Sequence, residues 1–155
     1  MRKLYAAYGS NLNLQQMHRR CPNATVYGTG YIPDHELQFR GRDGCSFLTI
    51  EPKPGAMVPV GIWSVDSGDE DALDRYEGYP RLYGRETVRI PVVNSRTGEE
   101  NPKEVFVYIM REGYPLNPPS RLYLDGCLDG YRSFGFPQQV VLDALKKAER
   151  QNHER

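Results

Sequence analysis

Glycine and proline, fifteen and twelve of 155 residues, are scattered along the whole chain instead of gathering in one tract. Both interrupt regular backbone, so the pattern predicts short elements joined by many turns and argues against a disordered segment. A chain of this length fits a single core, and residues 1–155 are read as one domain. Only 39% of the residues are apolar, yet eleven Tyr, five Phe and one Trp supply large surfaces to bury. Twenty Lys plus Arg balance twenty Asp plus Glu, which leaves no field to draw the chain to nucleic acid or to an anionic membrane. Cys21, Cys45 and Cys127 form no CxxC pair and are odd in number, so they read as reduced, structural thiols, not as a disulfide framework or zinc knuckle. There is no signal-peptide pattern after Met1 and no apolar run of about 18 residues. The expected setting is soluble and cytoplasmic. Monomer and homodimer both fit the neutral charge.

Lys3 to Tyr8 is short, apolar and aromatic, and it stops at Gly9 as a buried strand running into a tight turn would. Asn13 stands where it can cap a short helix reaching about Arg20, ahead of Pro22. From Thr25 to Phe39, β-branched and aromatic residues broken by Gly28, Gly30 and Pro33 predict strand, turn, strand; residues 47–51 and 58–65 predict two more. Ser67-Gly68-Asp69-Glu70 has the Ser-x-x-Glu form of a capping box and opens a helix that carries Leu73 and Tyr76 and ends near Gly78. Residues 83–93 and 103–110, with Thr97-Gly98 between them, predict a hairpin. Ser120 is placed to cap a helix through Leu128, and Pro137 to open a last helix carrying Val141, Leu145 and Ala148. Beyond Lys146 the polar end reads as a solvated helical tail.

Two places can carry chemistry. At Tyr8-Gly9-Ser10-Asn11-Leu12 a strand runs into a turn and then a helix, which aims several backbone N–H groups into one small space. Gly9 permits close approach of a ligand, while Ser10 and Asn11 add side-chain donors; an ordinary strand-to-helix turn has the same spacing. A phosphate loop and a dinucleotide fingerprint are both absent, since Gly28-Thr29-Gly30 lacks the third glycine. The second place is Glu77, four residues after Leu73 and so beside the apolar stripe of its helix. Desolvation there raises a carboxyl pKa, as a general acid/base near neutral pH requires. The competing reading takes Asp69, Glu70, Asp71, Asp74 and Glu77 as one solvated acidic face. Tyr79 and Tyr83 follow closely enough to orient the Glu77 carboxylate. The tetrapeptide Glu-Gly-Tyr-Pro occurs at 77–80 and again at 112–115, an echo treated as chance. His18, His35 and His153 have no metal-ligand spacing, and no serine or cysteine sits in a nucleophile context.

Taken together, Tyr5-Ala6-Ala7-Tyr8-Gly9-Ser10-Asn11-Leu12 resembles the opening of the γ-glutamylcyclotransferase (AIG2-like) family. Leu73 to Pro80, followed by Tyr83 and Arg85, resembles the segment in which that family carries a glutamate at the end of a mid-chain helix. Pro119-Ser120-Arg121-Leu122-Tyr123 and then Phe134-Gly135-Phe136-Pro137 resemble its C-terminal block, although Gln138, Gln139 and Val140 stand where members often have a Tyr. The resemblance implies an α+β fold, a small mixed β-barrel flanked by helices, with no metal or organic cofactor. It implies release of 5-oxoproline from a small-molecule γ-glutamyl amide, with Glu77 catalytic and Tyr8, Gly9, Ser10, Asn11, Leu12, Tyr83 and Tyr123 binding substrate. Tyr83 and Tyr123 would hydrogen-bond the substrate carboxylate or Glu77. The rival from another class is a non-catalytic module that uses the Gly9 loop to bind an acidic metabolite or peptide end.

Overall fold

A computed structural model describes residues 1–153. Five strands form a closed barrel: β1 (Lys3–Ala7), β2 (Thr25–Arg42), β3 (Cys45–Val65), β4 (Tyr83–Asn94) and β5 (Glu100–Met110). Around the barrel the order is β1-β3-β2-β4-β5, and every neighbouring pair is antiparallel except β5 with β1, which closes the ring in parallel through Tyr5 opposite Phe106. Four helices flank it, α1 (Leu14–Arg20), α2 (Ser67–Glu77), α3 (Arg121–Ser133) and α4 (Gln139–His153), and a 3-10 turn at Ser10–Leu12 links β1 to α1. The α+β class and the mixed barrel are as the resemblance implied.

The sheet is more continuous than the punctuation suggested. β2 is one strand where strand, turn, strand was expected, and β3 likewise spans both segments predicted around residues 47–65. The reason is that β2 and β3 pair along nearly their whole length and absorb the interruptions as register shifts, one between Val26 and Gly28 and one between Pro33 and His35. Proline at a bulge removes no ladder bond, so Pro33 and Pro52 sit inside paired strands. On β3, Val58, Val60 and Ile62 are fully buried and meet Tyr5, Phe106 and Val107 in one core cluster.

Helix ends follow capping chemistry with one displacement. Asn13 caps α1 by accepting from Gln16 N, and Ser120 caps α3 by accepting from Tyr123 N. For α2, however, Asp66 is the N-cap and exchanges bonds with Asp69, so the capping box lies one residue before the Ser67–Glu70 box predicted. An aspartate at the cap adds charge to the interaction with the helix N-terminus, which a serine cannot. α3 runs on to Ser133, past the expected stop at Leu128. On α4, Ala148 is fully buried and Lys147 Nζ lies 2.6 Å from Glu36 Oε2 on β2, so the helix is docked beyond Lys146 where a solvated tail was expected. Glu149 to Asn152 are exposed; Glu154 and Arg155, the end of that expected tail, lie outside the described residues.

One close approach positions everything that follows. A Cβ on Gly130 would stand 2.7 Å from Asn13 N and 2.8 Å from the Leu12 side chain, so the missing side chain lets α3 lie directly on the turn after β1. Asn13 Nδ2 donates to Gly126 O at 3.2 Å along the same contact. Within a helix, Gly→Ala ordinarily stabilises by about 1 kcal/mol. Gly130→Ala is expected to reverse that sign and destabilise by about 1–3 kcal/mol through overpacking, measured by denaturant unfolding. Thiol accessibility gives a second check. Cys21 and Cys127 are buried, and burial pushes their pKa values up to about 11 and about 12, whereas Cys45 is exposed and so is not the structural thiol expected. An aromatic disulfide reagent should titrate one thiol in the folded protein and three after denaturation.

Candidate active site

β1 leaves the barrel at Ala7 and its last residues are fastened from several sides. Tyr8 Oη donates to the Tyr108 carbonyl on β5 at 2.6 Å, and Tyr131 Oη of α3 donates to the Tyr8 carbonyl at 2.7 Å. In the turn that follows, Leu12 N donates to Gly9 O and Asn13 N to Ser10 O, each at 3.0 Å. The first N–H groups of such a turn have no partner within it. Asn11 is held at three points: its Nδ2 donates to Tyr5 Oη at 2.9 Å, its carbonyl accepts from Trp63 Nε1 at 2.9 Å, and its Oδ1 accepts from Arg20. Its side chain is therefore anchored, with one of the two Nδ2 hydrogens given to Tyr5, while the residue lines the cavity. Ser10 Oγ shares a hydrogen bond of 2.8 Å with Tyr76 Oη on α2.

Glu77 is the last residue of α2. Gly78 terminates the helix in the left-handed region at φ 64°, and Tyr79 N reaches back to Asp74 O at 2.9 Å. The chain reverses there, and the glutamate faces the barrel mouth. Glu77 and the turn at Gly9, Ser10 and Asn11 line one cavity of about 100 Å³, walled by Tyr5, Tyr8, Tyr76, Tyr83, Tyr108, Tyr123, Phe47, Leu48 and Leu82. That volume is several times the ~15 Å³ that admits one water. A Cβ on Gly9 would stand 3.3 Å from Tyr123 Oη, so the glycine leaves that side of the cavity open.

Among the described residues the Glu77 carboxylate has no hydrogen-bonding or ion-pair partner, and none of its oxygens is sealed from the cavity. Burial pushes its pKa up to about 7, while Arg20 opposes the rise. A negative charge at a helix C-terminus is disfavoured in the same direction as burial. Arg20 is the cation that acts on Glu77, its guanidinium carbon lying 3.4 Å from the centroid of the Tyr76 ring. Burial also holds the Tyr5, Tyr8, Tyr83, Tyr108 and Tyr123 phenols above their ordinary range, so the walls stay neutral at working pH. The site is thus an aromatic cup with one titratable group near neutrality.

Several expectations require correction. Leu12 is fully buried in the core beside Gly61 and Gly130 and does not line the cavity. Tyr83 and Tyr123 do line it, and both meet the Leu48 backbone: Tyr83 Oη donates to its carbonyl at 2.7 Å, and its N–H donates to Tyr123 Oη at 3.1 Å, a bond that leaves the Tyr123 O–H as a donor. Neither bonds Glu77. Tyr79 stands 40% exposed and lies outside the cavity lining. The supposed acidic face divides, since Asp69 is buried in the capping box, Glu70 and Asp74 pair with Arg85, and Asp71 is exposed. Of the echoed pair, Glu112 is exposed while Glu77 faces the cavity. Sequence reasoning missed Tyr5, Tyr76, Tyr108 and Arg20. Tyr76 was the legible one, being adjacent to Glu77; Tyr108 reaches the cavity only because β5 closes the barrel against β1.

Among the described residues, no three His, Cys, Asp or Glu side chains gather as a metal site would need, and no helix is long and apolar enough to cross a membrane. Gamma-glutamylcyclotransferases from Homo sapiens and Mus musculus are 27% and 29% identical to this chain over 143 residues, with 86% and 88% of this chain and 72% and 73% of theirs aligned. A solved gamma-glutamyl cyclotransferase structure superposes with a TM-score of 0.73 at 26% identity, covering 96% of this chain and 87% of that one. A family model described as gamma-glutamyl cyclotransferase, AIG2-like, matches residues 5–127. That match runs through both the turn after β1 and the end of α2, and on it this chain belongs to the gamma-glutamyl cyclotransferase, AIG2-like family.

Proposed function

We propose that this protein releases 5-oxoproline from a γ-glutamyl amide, with Glu77 as the one general acid/base and the backbone of Gly9, Ser10 and Asn11 holding either the substrate α-carboxylate or the oxyanion. The observation that carries the reading is an unpartnered carboxylate, poised near neutral pH, in the same small aromatic cavity as the turn at Gly9, Ser10 and Asn11. The reacting amine and carbonyl belong to one molecule. A cavity that curls the γ-glutamyl chain therefore supplies much of the acceleration by fixing a near-attack conformer.

Proton transfer sets the remaining demand. The substrate α-amine has a reference pKa of about 7.7–8.0 and arrives as ammonium, while a free glutamate at about 4.3 is a weak base for it. That mismatch of about 3.5 pH units corresponds to roughly 5 kcal/mol. With Glu77 at about 7, it shrinks to about one unit, or ~1.4 kcal/mol. Glu77 takes the ammonium proton, the freed amine attacks the γ-carbonyl, and the oxyanion is met by backbone N–H groups. Glu77 then returns the proton to the departing nitrogen, takes the remaining proton from the ring nitrogen so that 5-oxoproline forms as a neutral lactam, and yields it to the released amine, which leaves as ammonium. A binder of acidic ligands, the alternative, has no use for a carboxylate set among the ligand's own negative groups.

Measuring 5-oxoproline from γ-glutamyl-alanine, γ-glutamyl-ε-lysine and larger γ-glutamylated amines tests the reaction. Glu77→Gln should lose about 10²–10⁴-fold in kcat/KM, while Glu112→Gln keeps wild-type rates. Saturable binding of the panel with no 5-oxoproline from the wild type would favour the non-catalytic module. The pH dependence follows from the raised pKa. Because Glu77 must be ionised to accept the proton, kcat/KM should climb with pH and level off above about 7.

Stability should run the other way. A carboxyl that titrates near 7 when folded and near 4.3 when unfolded binds more protons in the native state between those values, so stability declines as pH rises through that window. Glu77→Gln removes the loss and should stabilise by up to about 3–4 kcal/mol at pH 8, with little effect at pH 4.5, read by urea unfolding at the two pH values.

A further inference from the structure

Asp74 lies one turn before Glu77 on α2, so the two share a side of the helix end. Its Oδ1 accepts two hydrogen bonds, from Tyr108 Oη of β5 at 2.6 Å and from Arg85 Nη1 of β4 at 2.9 Å. Arg85 and Tyr108 are direct partners across the β4–β5 ladder, and so both side chains reach the same oxygen. Arg85 Nη2 also lies 3.5 Å from Glu70 Oε1, one turn earlier on α2, and that oxygen accepts from Lys3 Nζ of β1 at 3.0 Å. Over the guanidinium sit three rings, with its carbon 4.2 Å from the Phe106 centroid, 5.6 Å from that of Tyr108 and 5.7 Å from that of Tyr79.

We propose that Asp74 is a positioning residue for the reaction: with Arg85 and Tyr108 it clamps the last turn of α2 to the barrel and so keeps Glu77 turned into the cavity. The proposal rests on the role given to Glu77 above. Its physical motive is that an ionised Glu77 without partners gains hydration by swinging outward, and a helix end is where such fraying begins. Something must oppose that motion. Exposed ion pairs are too weak for the task, but here the Arg85 and Asp74 side chains are only 18% and 26% exposed and the hydrogen bonds are charge-assisted. Tyr108 makes the link to the cavity, because its ring forms part of the wall, its hydroxyl holds Asp74, and its carbonyl accepts from Tyr8.

The groups that face Glu77 are Arg20 from α1, Tyr5 from β1 and Tyr8 just after it, Tyr83 from β4 and Tyr108 from β5, with Tyr76 beside it on α2. Arg20 is the cation among them, and the clamp is separate from it. Direct electrostatics and positioning therefore differ in sign at Arg85. Deleting a nearby cation raises a carboxyl's titration midpoint, whereas loosening the clamp hydrates Glu77 and lowers it.

The experiment is a carboxyl ¹³C NMR titration of Glu77 in the full chain, with kcat and KM for γ-glutamyl-alanine measured alongside. Arg85→Ala and Asp74→Ala should each lower the midpoint by about one pH unit and cut kcat by about tenfold or more, with KM within about threefold. Asp74→Asn, which keeps the acceptor oxygen, should restore most of both. Tyr108→Phe, which deletes one oxygen and keeps the wall, should fall between. A midpoint that rises or stays put in Arg85→Ala, or unaltered kcat in the folded variants, overturns the proposal. If the alanine variants do not fold, Tyr108→Phe decides, and an unmoved midpoint there overturns it equally. The titration needs no turnover, so a shifted midpoint in a chain that forms no 5-oxoproline would refute the assigned reaction while upholding the clamp.

Discussion

A half-buried ionisable carboxylate with no hydrogen-bonding partner is the constraint on which the rest of this structure turns. Left alone, Glu77 would rotate outward or be paired, and either outcome would return its pKa to the ordinary range. Three arrangements prevent it. Gly78 ends α2 at the right residue, the ladder side chains Arg85 and Tyr108 fasten the preceding turn, and the closed barrel supplies aromatic walls. Each is stabilising in itself, and together they offset the strain of one costly group.

The tyrosines illustrate how one residue type serves two ends. Their rings build the walls, which lowers the local dielectric, while their hydroxyls are spent on backbone carbonyls, on Asn11, on Ser10 or on Asp74. A phenylalanine cup would be as dry but less well fixed, since nothing would tie each ring to a particular strand. Rigid walls matter to an intramolecular reaction, in which catalysis is largely a matter of holding one conformer.

Local chemistry was legible wherever it depended on neighbours in sequence. Asn13 and Ser120 as caps, Gly78 as a helix stop, and the hairpin about Thr97-Gly98 all follow from rules that operate within a few residues. Apart from the α2 cap, read at Ser67 where Asp66 serves, the misses at the strands and the site share one cause, which is distance along the chain. Pro33 looked like a strand break because the bulge that accommodates it exists only when β2 lies against β3. Leu12 and Asn11 looked alike as candidate ligand contacts, but α3 and β3 bury the one, while Tyr5 of β1 and Arg20 of α1 engage the side chain of the other.

Sequence alone established a chain of strands and helices with neutral charge, one glutamate beside an apolar helical stripe, and a strand that runs into a Gly-Ser-Asn turn. Tertiary structure decided that these two features meet, that Glu112 in the same tetrapeptide does not join them, and that Asp74 points to Tyr108 instead of water. The division has a physical origin. Turn and cap preferences are energies of adjacent residues, whereas desolvation is a property of everything packed around a group, and only closure of β5 on β1 brings those surroundings into being.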